Sequence, residues 1–341
     1  RRWRVLGVVT EPIHQVTVIG GGQLGSRYLQ GLVHCRRPVE IHVVDPDGDA
    51  LRAARQRWSE AGGPQSLHTT HFQTDMESLP DRLDLAIVST NAAVRPDVVE
   101  RLSGRSEVGS WLLEKVLAQS HDGLDRIAAA IGDSTRVWVN TWARTTPWFQ
   151  EIRGRVGTGP FVVEIDGASW GMGCNAIHFM DLFAWWTGES PIVVDGAGLD
   201  HCWPNAKRAG HHELSGLLRI EFSSGTTLLL RSTAPQAPCS RAGTDRIEQM
   251  TIQAQYDLWK VQEPFSETSG SAVAKSGDRI DGRIEYQSER TGPIVDSILE
   301  TGTCDLPDLA TSSHHHRLLL TGLLEVRPNL EGVDSAVVPI T

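Results

Sequence analysis

The sequence predicts a two-domain α/β protein, in which an N-terminal doubly wound parallel sheet precedes an α+β domain with an open, mostly antiparallel sheet. Over the first 140 residues, short apolar runs alternate with segments of helical periodicity, which is typical of parallel strands joined by right-handed helical crossovers. After about residue 147, strands follow one another through turn-rich segments with few helices. A length of 341 residues suits two domains. We therefore expect a first domain at 1–145 and a second at 146–341.

The elements of the first domain follow from its hydrophobic pattern. Apolar runs with few charges predict strands, and apolar residues at helical spacing predict the helices between them. The predicted strands are 16–19, 41–45, 68–72, 83–89, 109–115 and 136–140, and the predicted helices are 26–34, 49–61, 94–102 and 121–131.

The second domain is predicted to be a sheet with an early and a late helix. The predicted strands are 159–169, 217–222, 226–232 and 248–254, and the predicted helices are 174–187 and 313–325. Residues 266–282 are polar and rich in serine and glycine, which predicts a mobile surface loop. Residues His314 to His316 belong to the late helix, and we expect them to lie mostly on the surface. No metal site is predicted, since the five cysteines are scattered and form no C-x-x-C pair.

The run VTVIGGGQLG at residues 16–25 is a strand that leads directly into G-x-G-x-x-G. In this motif Gly20 makes the tight turn, Gly22 lets the backbone approach a pyrophosphate, and Gly25 lets the next helix pack on the strand. Asp45 follows Gly25 by twenty residues, where a carboxylate accepts hydrogen bonds from a ribose diol. The motif therefore predicts a dinucleotide, with NAD favoured because Asp45 would repel a 2′-phosphate. NADP stays open because Arg52 or Arg55 could reach back.

Charge and composition exclude several other classes of partner. The formal net charge is −10 and no strong basic patch is present, which argues against nucleic acid. No apolar run approaches the roughly twenty residues that span a bilayer. Scattered cysteines are typical of reduced thiols. We therefore expect a cytoplasmic protein that binds neither nucleic acid nor a membrane.

Two further motifs lie where chemistry is expected. Glu114 and Lys115 end the fifth strand, so Lys115 would project near the nicotinamide end of the cofactor. Asn175, His178 and Asp181 follow one another at intervals of three, which places them on one helix face. Oxidising an alcohol needs a base beside the hydroxyl, and an ammonium at the same oxygen stabilises alkoxide character. Histidine has a pKa suited to the first role at neutral pH.

These residues resemble the Gfo/Idh/MocA family of glucose–fructose oxidoreductases and inositol dehydrogenases. The resemblance covers the glycine motif, Glu114-Lys115 where members have Glu-Lys-Pro, the pair His178 and Asp181, and a Trp-x-Gly helix end at Gly188. It implies hydride transfer between NAD(P) and a secondary alcohol or ketone of a sugar-like substrate, nucleotide-linked sugars included. Lys115 would polarise the reacting oxygen and His178 would take or return its proton. The chain departs from the family at Cys174, where many members have an aspartate, and at Val116, which replaces the proline.

The resemblance also assigns contacts and assembly. It implies a homodimer or homotetramer formed through the C-terminal sheet. The candidate substrate contacts are Asn140, Arg144, Asn175, Asp181 and Lys207. Asn140, Arg144 and Lys207 could equally be solvated or interdomain residues, and Asp181 could instead hold the fold from its helix face. The implied cofactor contacts are Gly20, Gly22, Gln23, Leu24, Gly25, Asp45, Ser89, Thr90, Asn91, Glu114 and Lys115.

Two other functions compete with a dehydrogenase or reductase. An enzyme that keeps its NAD bound, such as an epimerase or an oxidative glycosidase, would use the same residues. A regulatory protein that senses dinucleotides would use the same fold, although it has no need for a base beside the nicotinamide.

Overall fold

The structure is a computed structural model that describes residues 13–133, 135–206, 208–223, 225–234 and 246–341. Numbered along the chain, the strands are β1 His14–Ile19, β2 Val39–Val44, β3 Thr69–Gln73, β4 Arg82–Leu83, β5 Leu85–Val88, β6 Glu107–Val108, β7 Ser110–Leu113, β8 Arg136–Val139, β9 Val162–Ala168, β10 Pro191–Leu199, β11 Gly216–Phe222, β12 Thr227–Thr233, β13 Arg246–Gln253, β14 Leu258–Gln262, β15 Gly270–Ala274 and β16 Arg279–Gly282. The α-helices are α1 Gln23–Leu32, α2 Gly48–Glu60, α3 Arg95–Arg105, α4 His121–Ile131, α5 Pro147–Val156, α6 Met172–Thr187, α7 Gln287–Thr301 and α8 Leu309–Val326, and short 3-10 helices cover Gly63–Gln65 and Trp142–Thr145.

The first sheet has six parallel strands in the order β3-β2-β1-β5-β7-β8. Its central strands are buried along their whole length because helices cover both faces, and this explains their continuous apolar runs. The winding direction reverses at β1, which lies between β2 and β5. Ligands of such sheets bind at the carboxyl ends of the strands beside this reversal. The predicted doubly wound parallel sheet is confirmed.

The second sheet has eight strands in the order β10-β11-β12-β9-β13-β14-β15-β16. In the described residues every pairing is antiparallel except that of β9 with β12. Leu228 and Leu230 of β12 are buried on the face that carries α6, whereas Leu229 and Arg231 lie on the opposite face. The open, mostly antiparallel sheet is confirmed.

The prediction of a mobile loop at 266–282 is wrong. This segment contains the paired strands β15 and β16, which extend the sheet at its edge. Gly270 and Gly282 are needed there because a Cβ on either would overlap the indole of Trp148. The glycines that suggested a loop are therefore packing positions under an aromatic ring.

The prediction that His314 to His316 lie mostly on the surface is also wrong for two of them. His315 is 3% exposed and His316 is fully buried. The reason is that α8 packs on α4 and β8 of the first domain as well as on α6 and β10 of the second. A helix between two domains buries more than one face.

Helix α7, which the hydrophobic pattern did not predict, returns to the first domain. It packs against α1, and its residues Ile294, Val295 and Ile298 join the core formed by α1 and β2.

The division of the chain at residue 145 stays a prediction. In the described part of the chain, no helix is long and apolar enough to cross a membrane.

Candidate active site

A cleft of about 1370 Å³ lies at the carboxyl ends of β1, β2, β5 and β7. One wall consists of the loops that follow these strands. The other wall consists of the start of α6 and of residues 204–206, 208 and 211–213 from the second domain. The cleft is large enough for an extended ligand and a smaller one beside it.

The glycine loop forms the floor of the cleft at the end of β1. Gly20 has a φ of +98°, a conformation that favours glycine. A Cβ on Gly25 would overlap the carbonyl oxygen of Gly20, so this residue sets the approach of α1 to the loop. A Cβ on Gly22 would meet no described protein atom within 4 Å and would occupy the cleft instead.

Gly22 is also the N-cap of α1, and no side chain caps the first-turn N–H groups there. Gln23 and Leu24 of that turn line the cleft. Uncapped N–H groups and the positive end of the helix dipole suit phosphate oxygens. The loop therefore fits a pyrophosphate.

Asp45 lies at the end of β2 and lines the cleft. Its carboxylate accepts the N–H of Gly21 at 2.7 Å and that of Asp47 at 2.8 Å. Each oxygen keeps a further lone pair, so the carboxylate is oriented and still able to accept hydroxyl hydrogen bonds. Among the candidate 2′-phosphate ligands, Arg52 pairs with Asp49, and Arg55 lies 4.5 Å from the centre of the Phe72 ring. Neither arginine lines the cleft.

The segment after β5 brings Ser89, Thr90 and Asn91 to the cleft. The Ser89 hydroxyl donates to the Gly20 carbonyl at 2.8 Å, and the Asn91 side chain accepts the N–H of Ala93 at 3.0 Å. These side chains hold the loop in shape. All three of these predicted cofactor residues face the cleft.

Glu114, at the end of β7, lines the cleft but is 3% exposed. Its carboxylate accepts hydrogen bonds from the Tyr28 hydroxyl and from the Asn140 amide, the latter at 2.7 Å. Burial raises the pKa of Glu114, although the two hydrogen bonds act to lower it. Asn140 is itself 1% exposed and does not line the cleft. It supports Glu114 from behind.

Lys115 projects into the cleft and bridges the two domains. Its Nζ donates to the Cys174 carbonyl at 3.1 Å and lies 3.5 Å from Asn175 Oδ1. The guanidinium of the buried Arg95 donates to the carbonyls of Val116 and Leu117, which follow the lysine, and to that of Thr90 after β5. Burial lowers the pKa of Arg95 to about 10. The strand end that carries the ammonium is therefore held firmly from beneath.

His178 is 4% exposed and lies behind the cleft wall. Its ring packs edge-on against Trp142 and at a tilt against Phe265, and its Nδ1 has no described hydrogen-bond partner. Burial lowers the pKa of His178 well below its usual value, and the positive charge of Lys115 lowers it further. The imidazole is neutral at pH 7 and is electrostatically coupled to the lysine.

Asp181 is 1% exposed and lies one helical turn further from the cleft. It accepts the Thr141 hydroxyl at 2.7 Å and Arg144 Nη1 at 3.2 Å. Burial raises the pKa of Asp181 to about 6, although Arg144 opposes the rise. This pair joins α6 to the 3-10 helix between the domains.

Of the five predicted substrate contacts, Asn140, Arg144, Asn175 and Asp181 do not line the cleft, and Lys207 falls outside the described residues.

The second wall contains residues that are not among the predicted site residues. Trp170, Arg208, His211, His212 and Glu213 all line the cleft. They come from segments without periodicity or a known spacing. The turn-forming residues Pro204, Asn205 and Gly210 are the signal in the sequence that indicates a loop here. No group of three or more His, Cys, Asp or Glu among the described residues is arranged to hold a metal ion.

No protein-family model matches the chain, and no curated protein matches its sequence. Solved structures do resemble it. The UDP-N-acetylglucosamine 3-dehydrogenase GnnA from Acidithiobacillus ferrooxidans aligns with a TM-score of 0.65 at 14% identity, over 91% of this chain and 97% of that one. The scyllo-inositol dehydrogenase from Lactobacillus casei, solved with NAD(H) and scyllo-inositol, aligns with a TM-score of 0.64 at 13% identity, over 93% and 97%.

The chain shares its fold with these two dehydrogenases. The super-repressor mutant of Gal80p from Saccharomyces cerevisiae is similar to the same degree, with a TM-score of 0.65 at 12% identity, over 91% of this chain and 95% of that one. Proteins with different roles therefore share this architecture. The fold alone does not distinguish between them.

Cys174 is the residue at which this chain departs from the site that the resemblance implied. Its side chain lines the cleft, and its Sγ donates to the Gly171 carbonyl at 3.2 Å. Burial raises the pKa of the Cys174 thiol, so the thiol stays protonated. It does not replace a carboxylate. The carboxylate of Glu213 lies near by, and its Oε1 accepts the N–H of Gly173 at 3.2 Å.

Proposed function

We propose that this protein is an NAD(P)-dependent dehydrogenase or reductase that transfers a hydride between NAD and a secondary alcohol or ketone of a sugar-like substrate. One observation carries the proposal: Lys115 lines the same cleft as the glycine loop and Asp45. Two proteins that share the fold, the GnnA enzyme and the scyllo-inositol dehydrogenase, are sugar and polyol dehydrogenases by name.

The residues present fit a dinucleotide. Gly22 leaves room for a pyrophosphate at the uncapped start of α1, and Asp45 is oriented to accept ribose hydroxyls. Ser89 to Asn91 and Glu114 continue the same wall toward Lys115. When bound, the nicotinamide supplies the hydride acceptor or donor. NAD is favoured over NADP because Arg52 and Arg55 are engaged elsewhere.

The protein must handle the hydroxyl oxygen and its proton. Lys115 donates a hydrogen bond to that oxygen and stabilises the negative charge that develops as the proton leaves. Its present partners are a carbonyl and an amide oxygen, both neutral, so no carboxylate competes for the ammonium in its hydrogen bonds. We propose that His178 exchanges this proton. Burial and the charge of Lys115 lower the pKa of His178, so its neutral ring is a weak proton acceptor and its imidazolium a strong donor, which favours returning the proton during reduction of a ketone.

The test is turnover of a substrate panel by the purified protein with NAD(H). The panel contains scyllo-inositol, myo-inositol and UDP-N-acetylglucosamine with their keto forms, and the signal is nicotinamide absorbance. Replacing Lys115→Met removes the charge and keeps much of the length of the side chain. We expect kcat to fall about 10²–10³-fold, the usual loss when one group that stabilises an oxyanion is removed, with the Kd for NADH unchanged. Unchanged kcat in this variant would contradict the proposal.

A second function is favoured by the Gal80p likeness, namely that of a regulator without turnover. It predicts saturable NADH binding, no absorbance change with any substrate, and a protein partner. An enzyme that retains its NAD predicts turnover of the substrate without net release of NADH. Both outcomes are read from the same experiment when bound and free nucleotide are measured separately.

A further inference from the structure

His211 is a histidine of the cleft that belongs to none of the sequence motifs. It lines the cleft and is 6% exposed. Its Nδ1 lies 3.0 Å from the carbonyl oxygen of Ala209. Because a carbonyl only accepts hydrogen bonds, Nδ1 carries a proton, and in the neutral tautomer with this proton Nε2 carries the lone pair.

The Nε2 atom of His211 is buried and has no hydrogen-bond partner among the described residues. Five other histidines in the described part of the chain also bury a ring nitrogen without a partner, and none of the five lines the cleft. A buried acceptor without a partner destabilises the protein unless a ligand satisfies it. Among the described histidines, His211 thus combines a buried ring nitrogen without a partner and a place in the wall of the cleft.

The position of His211 is fixed by backbone hydrogen bonds. Its carbonyl accepts the N–H of Ala206 at 2.8 Å, and its own N–H donates to the Arg208 carbonyl at 3.2 Å. On the next residue, the N–H of His212 donates to the Pro339 carbonyl at 2.8 Å. The tight turn is therefore attached to the C-terminal segment. A side chain held in this way is organised before any ligand arrives.

The same turn is connected to the end of the cleft that holds Lys115. Glu213 accepts the N–H of Gly173 in the first turn of α6, and the carbonyl of the next residue, Cys174, accepts from Lys115 Nζ. Two hydrogen bonds thus link the turn that carries His211 to the proposed reacting end. His178 lies behind the wall at this end, enclosed by Trp142 and Phe265.

We propose that Nε2 of His211 accepts a hydrogen bond from a hydroxyl of the substrate. This inference rests on the proposed function for the class of substrate, and it adds the group that is recognised. A hydroxyl donates to a neutral imidazole, whereas a carboxylate or phosphate has no proton to give. His211 therefore selects an uncharged, hydroxylated part of the substrate beside the reacting carbon.

Two substitutions separate this role from a structural one. In His211→Asn the amide replaces Nδ1 and keeps the bond to Ala209, but nothing replaces Nε2. In His211→Gln the amide oxygen reaches the position of Nε2. The control is His68→Asn, because His68 is 7% exposed and also buries an Nε2 without a partner, yet lies outside the cleft.

Steady-state kinetics with scyllo-inositol, myo-inositol and UDP-N-acetylglucosamine give the decisive result. For the substrate that the wild type turns over, we expect His211→Asn to raise KM about tenfold or more, because a site built to hydrogen-bond a hydroxyl binds poorly without that bond. The Kd for NADH stays unchanged, and His211→Gln recovers most of the KM. His68→Asn leaves KM unchanged. A wild-type KM in His211→Asn would overturn the inference and leave the proposed function standing.

Nitrogen NMR of the histidine rings tests the same inference without turnover. The ring signals absent from His211→Asn identify His211, and they should show a proton on Nδ1 and a bare Nε2 that shifts when the substrate is added. A proton on Nε2 would overturn the inference whatever the activity. Absence of any turnover in the wild type would reject the proposed function and, with it, this inference.

Discussion

At the scale of single residues, the glycine loop shows how much a short motif specifies. Gly20 adopts a positive φ, Gly25 admits the helix, and Gly22 leaves the cleft open. Each role was predictable because the spacing of the motif is a local property of strand, turn and helix. Of the two partners of Asp45, the N–H of Asp47 is local, whereas the N–H of Gly21 reaches it only because β2 lies beside β1 in the sheet.

Replacing Gly25 or Gly22 by alanine should affect two different properties, stability in the first case and NADH binding in the second. Gly25→Ala pushes α1 away from the loop, and we expect unfolding to become easier by more than about 2 kcal/mol, in the range of overpacked cores. Gly22→Ala should leave the free energy of unfolding nearly unchanged and weaken NADH binding. Urea denaturation and NADH fluorescence titration measure the two effects. Equal loss of stability in both variants would contradict this assignment.

Asp45 should determine the choice between NAD and NADP. Asp45→Ser keeps a small polar group but removes the charge and one of the two acceptors. We expect NADH affinity to fall about tenfold, equivalent to about 1.4 kcal/mol, and NADPH affinity to rise. The matched control is Asp47→Ser, which alters a neighbouring carboxylate outside the cleft. A wild-type ratio of the two affinities in Asp45→Ser would show that the carboxylate does not contact the ribose.

At the scale of elements, α8 and the pair β15 and β16 show where hydrophobic patterns mislead. Three consecutive histidines suggested a surface, but α8 packs between the domains and buries two of them. A serine- and glycine-rich segment suggested a loop, but its glycines accommodate Trp148. In both cases a long-range contact overrides the local composition.

The buried histidines should make the protein sensitive to acid. Burial lowers the pKa of His315 to about 4 and of His316 to about 3, and that of His178 well below its usual value. The unfolded chain therefore binds more protons than the folded one below about pH 6.5, so the free energy of unfolding falls as the pH falls. Asp181, with a pKa raised to about 6, opposes this between about pH 6 and 4.

When the pH falls from 7 to 5.5, each of these buried histidines should lower the free energy of unfolding by about 1 kcal/mol. His316→Asn keeps a donor to Ser312 and removes the titrating ring, so the fall in the free energy of unfolding should shrink by that amount. His314→Asn is the control, because His314 is the exposed member of the three. Chemical denaturation at the two pH values measures the difference. An unchanged fall in His316→Asn would refute the account.

At the scale of the whole molecule, the open face of the second sheet is the surface through which oligomers were predicted. Val162 on β9 is 44% exposed, and its register partner Thr227 precedes Leu229 on the same face. Glu164 lies beside Leu229 across the pair of strands. The face thus combines apolar and charged side chains, a composition found at protein interfaces.

We expect the wild type to form a dimer or tetramer in solution and Leu229→Arg to reduce it to a monomer. The arginine places a buried charge without a designed partner at the contact, which disfavours association. Glu60→Arg, on the exposed side of α2, is the control. Light scattering after gel filtration gives the mass of each. A wild type that is monomeric in this measurement would contradict the predicted dimer or tetramer.

The sequence by itself determined the alternation of strands and helices, the parallel first sheet, the glycine loop and the position of Lys115 at a strand end. These follow from periodicity and spacing within about thirty residues, which act through local geometry. Only the tertiary structure decided which side chains face the cleft. His178 lies behind the wall because Trp142 and Phe265 enclose it, and His211 lies in the wall because its turn is bonded to Pro339, more than a hundred residues later. A hydrophobic pattern shows which face of an element is apolar, but not which distant segment packs against it.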